Sequence, residues 1–152
     1  YGIVAAIHTG VWNDINRLAP TLLFPIMDAC ADFGTTVDIF HMGIPSIREC
    51  AFLGKNYPFV NLNMCWSHIV SEHMVKTSIN EWLDLVPVSK IIGFGGDVIT
   101  LPEQIWGLLH HALQNISDAL AQRIVAGRMD MDYAKYVLRL WLYENPKRIY
   151  RL

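Results

Sequence analysis

The sequence predicts an α/β fold of parallel strands joined by helices, and three observations predict it. Short apolar runs alternate with longer stretches of helical period along the 152 residues. Apolar residues make up 53% and charged residues only 17%, the balance expected when helices cover both faces of a sheet and its strands become near-continuous apolar runs. Three of those runs end in, or lead directly into, a polar residue beside glycine: His8 in IHTG, His41 in FHMG and Asp97 in FGGD.

Residues 2–8 (GIVAAIH) read as a buried strand and residues 36–41 (TVDIFH) as a second. Residues 59–65 (FVNLNMC) alternate as a third, and residues 90–94 (KIIGF) form a fourth. Helix candidates lie between them at residues 20–32, 45–56 and 72–86, where apolar positions recur at helical spacing. After Asp97, Thr100 and Glu103 form a T-x-x-E capping box ahead of Ile105, Leu108, Leu109, Ala112, Leu113, Ile116 and Leu120. That helix is expected to end near Gly127, and a last one to run over residues 131–143 until Asn145-Pro146 closes it.

The order is β-α-β-α-β-α-β-α plus one further helix, in one domain spanning residues 1–152. His8 and His41 are 33 residues apart and His41 and Asp97 are 56 apart. Those intervals suit consecutive units of a (β/α)8 barrel, about 31 residues each. A doubly wound open sheet shows similar spacing. The opening at Tyr1, already inside a strand-like run, leads us to expect a longer natural chain.

Composition also excludes function classes. A net charge of −2 with 12 scattered Lys and Arg gives no nucleic-acid groove. No uninterrupted apolar run reaches the length of about 18 residues that a membrane helix needs. Cys30, Cys50 and Cys65 form no C-x-x-C pair, which fits a reducing, cytoplasmic compartment.

In parallel α/β folds the C-terminal strand ends line the active site, so His8, His41 and Asp97 are expected to converge on one mouth. Two imidazoles and a carboxylate are suitable ligands for a divalent metal, most simply zinc, which acidifies a coordinated water towards neutral pH. Trp12 and Trp66 follow two of the strands and are candidates for lining a substrate pocket, and His68 shares the loop of Trp66. His73 reads as helix surface, His110 and His111 as structural residues far from the strand ends, and Arg48 as a solvated helix charge.

The strings IHTGVWNDINRLAP, IFHMGIP, RECAFLGKNYP, NLNMCW, EWLDLVPVSKIIGFGGD and YENPKRIYRL resemble the amidohydrolase-type barrel family, in its uronate isomerase-like branch. The resemblance spans essentially the whole chain and implies the C-terminal half of a TIM (β/α)8 barrel, strands five to eight plus a C-terminal helix. It implies that His8 and Asp97 are metal ligands, that Asp97 also moves the proton, and that His41 contacts substrate or a second metal. The family's strand-one H-x-H pair and strand-four ligand position fall before Tyr1. The expected activity is metal-dependent hydrolysis of a small-molecule substrate. The alternatives are a uronate isomerase-like or decarboxylase reaction on the same site, or a non-catalytic fragment. A half barrel uncovers two sheet edges and inward apolar side chains such as Ile3, Ile39, Val60 and Ile92 or their strand neighbours, so a homo-oligomer or pairing with a missing N-terminal half is expected.

Overall fold

The computed structural model describes residues 3–11, 14 and 16–152. Four parallel strands, β1 (Val4–His8), β2 (Thr36–Phe40), β3 (Val60–Asn63) and β4 (Ile91–Ile92), form one sheet in the order β1-β2-β3-β4. The helices are α1 (Phe24–Cys30), α2 (Ile47–Asn56), α3 (Glu72–Leu85), α4 (Pro102–Val125), α5 (Met131–Arg139) and α6 (Asn145–Tyr150). No helix among the described residues is long and apolar enough to cross a membrane.

Register divides the strand side chains between two unlike faces. Ile7, Ile39, Leu62 and Ile91 are in register across the sheet, as are Val37 and Val60 with Ala5, so they share one face. They pack with Met27 of α1, Leu53 of α2, Ile79 and Trp82 of α3 and Ile116 of α4 in a single apolar core. The opposite face carries His8, Asp38, Phe40, Asn61, Asn63 and Ile92. Ile39 and Val60 therefore belong to the helix-covered core, not to an inward apolar filling, and the second face is largely polar.

Helix boundaries follow local chemistry. Ser71 caps α3 by accepting from the Met74 amide, and Asp130 caps α5 by accepting from Tyr133. Thr100 caps nothing: α4 starts from Leu101 with Pro102 in its first turn. A residue before proline is held extended, as Leu101 is at φ −125° and ψ 108°, which leaves Thr100 outside the helix. Nor does Asn145-Pro146 end the last helix. A π turn over Leu140–Glu144 links α5 to α6, and the wider turn accommodates a proline that the ordinary i to i−4 ladder would exclude.

That C-terminal segment also covers the outer edge of β4. The Gly93 amide donates to the Trp141 carbonyl at 2.9 Å, and Asn145 Nδ2 donates to the Ile91 carbonyl at 2.7 Å. Tyr150 reaches across the polar face to donate to Asp38. Of the two edges expected to be bare, the one at β4 is thus occupied, whereas β1 pairs with β2 alone among the described residues.

Candidate metal centre

The loops that leave the strands hold their side chains in unusual backbone conformations. His41, Met42, Trp66 and Asp97 all have φ between 45° and 68°, a region that residues with a Cβ rarely enter and that clusters at functional sites. At His41 the consequence is direct. Regular alternation would point His41 away from the face that bears His8 and Phe40; with φ at 68° it instead places Nε2 2.8 Å from His8 Nδ1. Two glycines make the close approach of these loops possible. A Cβ on Gly10 would lie 2.0 Å from the Ile44 carbonyl oxygen, and one on Gly43 would lie 2.5 Å from Pro20.

The result is a cluster of three potential ligands. Donor atoms of His8, His41 and Asp97 all lie within 4.8 Å of one another, with His41 Nε2 3.7 Å from Asp97 Oδ2. His41 is fully buried, while Asp97 and His8 are accessible. On the far side of its ring, His41 Nδ1 is 2.9 Å from the Cys65 carbonyl. A carbonyl only accepts, so Nδ1 carries the proton and Nε2 presents its lone pair to the cluster. By this assignment His8 Nδ1 donates to His41 Nε2.

Burial holds the His41 pKa below its ordinary value, and the nearby His8 adds to the effect; the Cys65 carbonyl and Asp97 oppose it. A neutral imidazole is what a metal ligand requires. The His8–His41 and His41–Asp97 donor separations, 2.8 and 3.7 Å, lie on either side of the edge of about 3.3 Å that bond lengths of 2.0–2.1 Å give for a tetrahedral zinc site, and all three donors lie within 4.8 Å of one another. With its other nitrogen anchored on a backbone carbonyl, His41 has the outer-shell support that ligating histidines use. In donor type, two imidazoles and a carboxylate, the set fits a divalent metal.

Beside the cluster opens a cavity of about 810 Å³. His8, Asp97, Trp66 and Ile69 line it from the strand-end side, and Thr100, Gln104, Gly107, Leu108 and His111 line it from the start of α4 and the turn before it. His111, expected as a structural residue, thus lies in the cavity wall. Its signal was the spacing 104, 107/108, 111, one face of a helix. His68 lies elsewhere: it is buried, its Nε2 meets the Gly93 carbonyl at 2.8 Å, and Asn115 Nδ2 donates to its backbone carbonyl at 3.2 Å. Trp12 falls outside the described residues. Arg48 is exposed and paired with Glu81 through two hydrogen bonds, and His73 is exposed on α3.

No family model and no curated protein matches the sequence. Among solved structures, the chain is similar to that of a candidate metal-dependent hydrolase from Lactobacillus casei ATCC 334. The TM-score is 0.81 at 20% identity, over 99% of this chain and 39% of the other. At that identity the likeness is one of fold. The chain spans about two fifths of the neighbour's length.

Proposed function

We propose that the chain supplies the C-terminal half of a metal-dependent hydrolase, an amidohydrolase-type (β/α)8 barrel of the uronate isomerase-like branch. The observation that carries this reading is the convergence of His8, His41 and Asp97 within 4.8 Å on the loops and strand ends of a parallel sheet. The strand order supports it, since β1-β2-β3-β4 shows no reversal; a barrel winds in one direction, whereas a doubly wound sheet reverses at its switch point. The neighbour's name, a metal-dependent hydrolase, supports the coarser part of this reading.

A divalent ion, most simply zinc, would be held by His8 and Asp97, with His41 completing the set; when bound it supplies Lewis acidity and acidifies water. Asp97 is the general base, accepting the proton as water attacks, and it is the accessible carboxylate of the cluster. His41, neutral and with its Nδ1 proton on the Cys65 carbonyl, offers the Nε2 lone pair to the ion. The cavity excludes bulk water from one side and orients the substrate. Because β1 pairs with β2 alone among the described residues and His8 stands on that edge, the remaining ligands come from a chain that pairs there, either an N-terminal half or a second copy.

Titration of the purified chain with Co²⁺, followed by its visible spectrum, tests the reading. Weak uptake of at most one ion per chain is expected, because further ligands lie on the pairing chain, with affinity reduced about tenfold or more in His8→Ala and in Asp97→Ala. Equal uptake by wild type and both variants would remove the metal site.

A further inference from the structure

An unexplained glycine stands in the wall of the cavity. Gly107 lies inside α4, past its first turn, where glycine lowers helix stability relative to alanine. Such a residue usually makes room for a packed neighbour. Among the described residues nothing lies within 4 Å of the position a Cβ would take at Gly107, so their packing does not require it. Gly54 shows the contrast: a Cβ there would sit 2.7 Å from Leu62. What Gly107 faces is the cavity that His8 and Asp97 also line.

The rest of the wall shows what fills that space. Trp66, Ile69, Val98, Ile99 and Leu108 make the lining mostly apolar, with Gln104 and His111 as the polar groups contributed by α4. Ile99 is 97% exposed and Ile69 44%, apolar surface that water solvates poorly. Large apolar cavities with a few placed polar groups are the usual form of small-molecule sites.

We infer that the substrate of the site carries a bulky apolar group, aromatic or branched, which lies against the bare backbone at Gly107, and that Gly107 determines specificity by keeping this space open. A sugar acid, polar all round, would leave the wall unmatched. The inference rests on the metal-site reading for where the reacting group sits.

Binding of two probes to the Co²⁺-loaded chain tests it: 2-naphthohydroxamate and acetohydroxamate share the metal-binding group and differ in the apolar part. Wild type is expected to prefer the naphthyl probe about tenfold or more, and Gly107→Leu to bring the ratio near one. A wild-type ratio near one, or a ratio that Gly107→Leu leaves intact, overturns the inference. If the chain takes up no Co²⁺, the metal reading fails, and 2-naphthamide against acetamide on the metal-free chain decides the cavity separately. Naphthamide binding that Gly107→Leu abolishes supports the inference, and its absence in wild type overturns it. Gly107→Ala serves as the folding control, with a melting temperature raised by about 2–4 °C.

Discussion

Asn145 Nδ2 donates to the Ile91 carbonyl at 2.7 Å, joining the start of α6 to the outer edge of β4 across 54 residues of sequence. The same amide donates to the Val88 carbonyl at 2.8 Å, and Asn145 is 1% exposed. Val88 also receives Trp141 Nε1, so Asn145→Ala leaves Ile91 as the carbonyl without a partner. The expected loss is about 2 kcal/mol, measured by urea unfolding. Unchanged stability would show that the C-terminal segment does not hold this edge.

Gly10 and Gly34 have the same φ, 62°, in different surroundings. At Gly34 an added Cβ meets nothing within 4 Å among the described residues, so Gly34→Ala is expected to cost about 1 kcal/mol for the left-handed backbone alone. At Gly10 the Cβ would strike the Ile44 carbonyl, which accepts from the Val11 amide at 2.9 Å. Gly10→Ala is expected to cost about 3 kcal/mol and to displace the loops that carry His8 and His41. Similar losses in the two variants would contradict the close approach.

His68 makes stability depend on pH. Burial lowers its pKa from 6.5 to about 4, against a smaller upward pull from the Gly93 carbonyl. Below pH 6.5 the unfolded chain gains a proton there that the folded chain refuses until about pH 4. The contribution is therefore complete above pH 6.5 and is lost on acidification across that window, by at most about 3 kcal/mol. Subtracting the stability curve of His68→Gln from that of wild type isolates it. A flat difference between pH 7 and pH 4 would contradict the buried, neutral ring.

Asp38 acts in the opposite sense. It is 0% exposed; Asn63 and Tyr150 both donate to Oδ2, while Oδ1 has no partner among the described residues. Burial raises its pKa, and the bonds from Tyr150 and Asn63 offset part of the rise. The folded state thus holds the proton more tightly than the unfolded state, an advantage present at low pH and lost as pH rises through the folded value. Asp38→Asn is expected to be more stable than wild type at pH 8, with that gain gone at pH 4. A melting temperature lowered at pH 8 would show that the ionised carboxylate is well satisfied.

Period and punctuation in the sequence determined the elements of this protein. Each strand begins within two residues of its expected place, because runs such as VAAIH and TVDIF offer one conformation that buries them, and Ser71 and Asp130 cap helices through contacts a few residues long. The polar second face departs from the apolar filling expected there, although Asp38, Asn61 and Asn63 interrupt the apolar runs at alternate positions. Only the tertiary structure decided what each face and edge meets. The turn of His41 towards His8, the cover of β4 by Asn145 and the place of His111 in the cavity wall depend on groups that are 33, 54 and more residues apart. Local periodicity fixes a side chain's direction relative to its own backbone, but its partners are set by how whole elements pack, and that balance is struck across the entire core.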